Sequence, residues 1–333
     1  MSAARALFGA LAILGMASAA WADSRLLFAE AQLVGGHSFD GRPIRWYSMD
    51  QMDVMQKPSV GFDLVQRLST ETGDWGMFAI QARLAYDSTR NGNIELQLYN
   101  AFLKVKPAFG DVWVGHNKPA FGLAMSLDNH GTLLQPLSMQ GYGFDRDWGA
   151  GYYRDFESGN VAFSATLGSG MPVYLGKNYL FSGRISKGDL NQQNYNVGMS
   201  AAYGMTLETM GYHLVVDEPI QHCMAGADLT HYSGPWEDRV DFVWDRMQAN
   251  LDHVSRYVLF HRLTLNIMPE NRLKLDFQHM WVKRKTVLAA DFSLGLSYQF
   301  MPDLTARLAF TQMLEQATNA TKAAAQIYWY YKI

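Results

Sequence analysis

Histidines, arginines and a single cysteine are the side chains of this sequence best equipped to do chemistry. His213, His222, His231, His253, His261 and His279 fall in different segments. No H-x-x-x-H or H-E-x-x-H pair sets two imidazoles on one helical face, so they read as ordinary wall or interface histidines. His37-Ser38 joins an imidazole to a hydroxyl, the start of a nucleophile–base pair, but no third group that would orient the ring is evident, and no enzyme is expected. Cys223 stands alone, so an internal disulfide is impossible and the thiol reads as buried or lipid-facing. Neither C-x-x-C-H nor C-x-x-C occurs, and no haem, zinc or other cofactor is expected.

The arginines are more informative. Arg67, Arg83, Arg184, Arg239, Arg246, Arg256, Arg262 and Arg307, with Asp63, Asp228, Asp241, Asp276 and Asp291, recur on the polar side of alternating segments. A basic side chain facing lipid at mid-membrane costs about 2–4 kcal/mol, so such residues belong in a lumen or near a rim. Arg67, Arg83, Arg184, Arg239, Arg256, Arg262 and Arg307 are therefore candidate pore-lining residues. Two readings stay open for them: a field that orients permeating solutes, or salt bridges that stabilise the wall. The one basic run, Lys283-Arg284-Lys285, could meet lipopolysaccharide phosphates or form a solvated turn.

The elements that must position these charges are strands. Phe292, Leu294, Leu296, Tyr298 and Phe300 alternate with Asp291, Ser293, Gly295, Ser297 and Gln299. Phe78, Ile80, Ala82, Leu84 and Tyr86 alternate with Gln81 and Arg83; Tyr195, Val197, Met199, Ala201 and Tyr203 make a third stripe, and Leu304, Ala306, Leu308 and Phe310 a fourth. Aromatics such as Trp75 and Tyr86 bracket the stripes, as they do at membrane–water interfaces. Short turn signals at 88–93, 157–160, 269–271 and 302–303 are interspersed with longer stretches at 35–57, 119–146, 169–178 and 187–194.

The first residues resemble an export signal. Arg5, an apolar run from Ala6 to Ala19 and Ala20-Trp21-Ala22 as a cleavage site put residues 1–22 in a signal peptide and 23–333 in the mature chain. Past that segment no apolar run is long enough for a transmembrane helix. A mean hydropathy of −0.14 beside 13% aromatic residues suits a wall that is apolar outside and polar inside. At about 20 residues per strand and connection, the mature chain yields roughly 16 strands, within a range of 14–18. The expected fold is an all-β transmembrane antiparallel β-barrel. A net charge of −3 gives no reason to expect nucleic acid as a partner.

The most specific string is NAFLKVKPAFGDVWVGHNKPAFGLAMS, followed after a loop by GYGFDRDWGAGYYRDF. It resembles the phosphate-selective porins and their general porin relatives at Gly115, Lys118, Pro119, Phe121 and Gly122, and again at Arg146, Asp147 and Gly149. Gly234-Pro235-Trp236 is similar to a hairpin of the same family, and the resemblance covers about a third of the chain. It implies a 16-stranded barrel, a homotrimer, and a third loop folded inward to narrow the pore. Within and beside the corresponding stretch, Lys118, Asp128, His130 and Arg146 are the candidate constriction residues. Anion capture requires Lys or Arg along the pore, and 119–145 contains neither, which favours a less selective pore. The last strand carries Ala325, Ile327, Trp329, Tyr331 and Ile333 on one stripe; it resembles a barrel-insertion signal but ends on Ile rather than Phe.

The expected function is an outer-membrane porin for passive diffusion of ions and small hydrophilic solutes, in contact with membrane lipid and lipopolysaccharide. The alternative is a barrel that sheathes a partner protein such as an electron-transfer cytochrome.

Overall fold

The computed structural model describes residues 25–41, 56–71, 73–87, 93–127, 130–141, 143–210, 212–249, 252–285, 287–315 and 318–333. The expected signal peptide lies outside the described residues.

Sixteen antiparallel strands close into one barrel. They are β1 (Arg25–Ser38), β2 (Ser59–Thr70), β3 (Gly73–Tyr86), β4 (Ile94–Val105), β5 (Asp111–Asn117), β6 (Asp147–Phe156), β7 (Gly159–Thr166) and β8 (Tyr179–Lys187). The second half comprises β9 (Tyr195–Met210), β10 (His213–Ser233), β11 (Trp236–Ala249), β12 (Asp252–Asn266), β13 (Leu273–Arg284), β14 (Val287–Met301), β15 (Leu304–Glu315) and β16 (Thr318–Lys332). Each strand pairs with its sequence neighbours, and β1 pairs with β16 from Phe28↔Lys332 to Ser38↔Lys322, which leaves no open edge. The strand number and the all-antiparallel topology agree with the alternation read from the sequence.

Alternation decides which side chains point in. On β14, Asp291 and Ser293 are buried while Leu294, Leu296 and Phe300 are exposed. On β16, Gln326 and Tyr328 are buried while Ile327, Trp329 and Tyr331 are exposed. The barrel is thus inverted relative to a water-soluble protein: its buried interior is rich in polar groups and its outer surface is apolar, the distribution a lipid surrounding demands. Cys223 is exposed and pairs across to Arg246 in the ladder.

The strand connections sort onto two rims. The connections after β1, β5 and β7 leave from one rim, and those after β2, β6, β10 and β14 leave from the other, the rim of short turns. Exposed Trp75, Phe156, Trp236, Phe300 and Tyr331 lie within a few residues of the rim of short turns and form an aromatic girdle there. The basic run ends β13 at the opposite rim, with Lys285 at positive φ in the turn that follows.

Candidate functional site: the barrel interior

The motif residues shape one segment. β5 is only seven residues long, and after it the chain makes a long excursion before β6. Gly115 holds φ 122°, and a Cβ there would collide with the Ala101 carbonyl of β4, so glycine is required. Lys118 donates from Nζ to the Leu127 carbonyl at 2.9 Å, which ties the start of the segment to its own backbone. Phe121 is buried, and Gly122, at φ 53°, opens a short 3-10 turn (Gly122–Met125). At the far end Asp147 is fully buried, and its carboxylate accepts the amides of Gly168 at 2.7 Å and Gly170 at 3.0 Å, which fixes the β7–β8 connection. Gly149 lies against Ala165 and Thr166 of β7 so closely that no side chain fits.

Segment 118–146 bonds to strands around the barrel. Ala120 N donates to Ser164 Oγ of β7, Gly122 N to Ser200 Oγ of β9, and Leu123 N to Asp241 Oδ2 of β11, the last at 2.9 Å. Further along, Gln278 of β13 donates to the Gln135 carbonyl, and Arg256 of β12 to the Gly141 carbonyl. His130 meets Glu30 of β1 at 2.7 Å, Tyr328 Oη of β16 at 3.1 Å, Gln81 of β3 at 2.9 Å, and the Arg83 guanidinium.

Apolar packing follows the same division. Phe121, Leu123 and Leu127 pack with Leu180, Ala202, Met224, Val243, Val258, Phe260, Met280 and Val282, an apolar patch on the buried faces of β8 to β13. Leu133 and Leu134 pack with Val34, Ala309 and Ala324 of β1, β15 and β16. The leucines of the segment have apolar partners on the wall, and burying each is worth about 1.5–3 kcal/mol. Replacing Asp241 with Ala leaves the buried Leu123 amide without its acceptor, at a cost of about 1–3 kcal/mol. We expect D241A to speed limited proteolysis within 118–146 while the barrel stays folded; wild-type cleavage kinetics would show that this bond does not hold the segment.

The seven candidate pore-lining arginines divide by partner. Arg83 bonds Glu30 at 2.5 Å, Arg184 bonds Asp228 at 2.5 Å, and Arg256 bonds Asp245, which also accepts from His222. Arg239 pairs with Glu237 at 2.8 Å. Arg67 is exposed, near the rim of short turns. Arg262 instead bonds the amide oxygen of Gln278 at 2.8 and 2.6 Å, and Arg307 that of Gln326 at 2.9 Å. Among the constriction candidates, Arg146 is buried and bonds Asp145 and Asn100, and Asp128 lies outside the described residues.

Several participants carried no signal in the sequence reading. Gln56 and Lys57 precede β2 in an irregular stretch, yet Lys57 is buried between Asp87 at 2.6 Å and Glu95 at 2.7 Å, and Gln56 donates to the Thr132 carbonyl. Tyr99 sits where the β3–β4 register slips, Gln81 pairing with Asn100 and Ala82 with Leu98. Its ring lies 4.5 Å from the Arg83 guanidinium and 5.6 Å from that of Arg146, the re-aimed side chain typical of a bulge. Glu30 and Gln32 could have been found, since they alternate with Ala29, Ala31 and Leu33. The His37–Ser38 pair forms no dyad: Ser38 bonds Asp40, while the His37 ring packs edge-on against Phe39.

On one side the interior stays open. A cavity of about 200 Å³ is bounded by His130–Leu134 of the segment and by β11 to β15, with Arg239, Arg262, Lys274, Arg307, Glu237 and Asp276 as its charged walls.

No protein-family model and no curated protein sequence matches this chain. Solved structures do. OmpT, an outer-membrane protein of Vibrio cholerae, in its trimer form, superimposes with a TM-score of 0.66 at 10% identity over 92% of this chain and 99% of that one. The anion-selective porin from Comamonas acidovorans gives 0.62 at 12% identity over 93% and 99%. The outer-membrane channel DcaP of Acinetobacter baumannii gives 0.56 at 10% identity over 93% and 96%. The chain therefore has the porin fold along nearly its whole length.

Proposed function

We propose that this protein is an outer-membrane porin, a passive channel for ions and small hydrophilic solutes rather than an enzyme. In this reading segment 118–146 lies in the bore as its constriction. The observation that supports it most is the reach of that segment. One stretch of chain bonds to β1, β7, β9, β11, β13 and β16, and a polar cavity is left beside it along β11 to β15. A barrel of this size without such a segment leaves an aqueous channel. The same crowding favours a channel over a sheath, since a segment bonded to strands around the barrel competes with a partner protein for the interior.

Export through a cleaved signal peptide, assembly as a homotrimer and contact of Lys283-Arg284-Lys285 with lipopolysaccharide complete the reading. The porin fold, the apolar outer wall and the trimeric form of one structural neighbour support them. Refolded protein added to a planar bilayer should insert with discrete conductance steps. A correctly folded barrel that inserts without conducting would refute the channel.

A further inference from the structure

The cavity beside the segment carries four cationic side chains, Arg239, Arg262, Lys274 and Arg307, against two carboxylates, Glu237 and Asp276. The pairing is uneven as well. Glu237 serves both Arg239 at 2.8 Å and Lys274 at 3.7 Å, while Asp276 accepts the Thr264 hydroxyl at 2.5 Å. The hydrogen bonds that hold Arg262 and Arg307 run to the neutral amides of Gln278 and Gln326, and Asp276 acts on both arginines only through space. Elsewhere in the interior the rule is the opposite: Arg83, Arg184 and Arg256 are each tied to a carboxylate.

The register adds an independent sign. Arg239 and Arg262 are direct partners across β11 and β12. Like charges placed opposite each other destabilise a sheet, so this pair is a cost to the barrel that an anion in the cavity would relieve. The cations missing from 119–145 are supplied by the wall instead. Thr264 and Ser297 add hydroxyl groups to the same lining.

We propose that Arg262 and Arg307, supported by Lys274 and Arg239, form a transit site for small oxyanions, and that the channel passes anions in preference to cations. The proposal rests on the channel reading and assigns it a solute class. Guanidinium forks match the geometry of carboxylate and phosphate oxygens, and in a narrow passage with low-dielectric walls an excess of four cations over two carboxylates repels cations. The site takes a solute carrying a carboxylate or phosphate group, and its volume suits a molecule of a few carbon atoms.

The test is the reversal potential across a planar bilayer under a potassium chloride gradient. Wild type should reverse at the sign set by chloride, and sodium acetate or inorganic phosphate added to the bath should lower the chloride current. R262Q/R307Q should lose most of the anion preference and most of that block. Ser297→Asp, which adds a carboxylate to the lining between its cross-strand partners Lys274 and Arg307 and leaves both arginines in place, should shift the reversal potential in the same direction and serves if the double variant fails to fold. A conducting wild-type channel that is non-selective or prefers cations overturns the oxyanion site and leaves the porin reading intact, as do variants that keep wild-type selectivity. Failure of wild type to conduct removes the channel itself.

Discussion

Replacing residues 123–137 with a short Gly-Ser linker should raise single-channel conductance severalfold. The barrel wall does not depend on this stretch for its hydrogen bonds. The β5–β6 ladder from Asp111↔Tyr153 to Asn117↔Asp147 lies outside it, and every strand keeps both neighbours. What the excision removes is the part of the segment bound to the wall: Leu123 and Leu127 on one side, Leu133 and Leu134 on the other, and His130 with its bonds to β1, β3 and β16. The apolar patch around Val243, Val258 and Phe260 then faces water, so some thermal stability is lost. Strand content by circular dichroism should persist. An excised barrel that conducts like wild type would mean the narrowest point lies elsewhere.

Lys57→Met should cause a large loss of stability. Lys57, Asp87 and Glu95 are all buried, and the ammonium is the ion-pair partner of both carboxylates. Removing one member of a buried ionic group leaves uncompensated charge and costs about 3–5 kcal/mol. The apparent unfolding temperature in detergent micelles should fall clearly. The triple variant K57M/D87N/E95Q, which removes the charge altogether, should recover most of the loss, because a neutral replacement of a buried ionic group is often nearly cost-free. If K57M unfolds at the wild-type temperature, the triad is not a tie. This result would also matter for the pore, because the adjacent Gln56 bonds both Gln32 of β1 and the Thr132 carbonyl of the segment.

The barrel was legible in the sequence because its surroundings allow no exceptions. A strand with lipid on one side and water or packed polar groups on the other must alternate, and stripes such as Phe292 to Phe300 show it directly. The interior was legible only in composition. The arginines were expected to point inward, and Arg83, Arg184, Arg256 and Arg262 are buried there. Which of them are cancelled depends on register and on contacts between distant strands, such as Arg184 of β8 with Asp228 of β10, and no local pattern encodes these. Lys57 was invisible for another reason: it lies in an aperiodic stretch, where neither period two nor a turn motif marks a residue as buried. The family-like motif was visible, but its residues act on the shape of a segment. Lys118 secures backbone, Asp147 caps a neighbouring connection, and Gly115 and Gly149 permit close approach.

The contacts of His130 constrain the order in which the molecule can be assembled. It bonds Glu30 of β1 and Tyr328 of β16, the two strands whose pairing closes the cylinder. These strands are also the most distant in the chain, so their union carries the largest loop-closure entropy and comes late in folding. The same segment has anchors on β7, β9 and β11 as well. Its bonds to β1 and β16 become possible together only when the seam zips. A chain whose segment has strayed lacks the imidazole that joins the two sides of its seam.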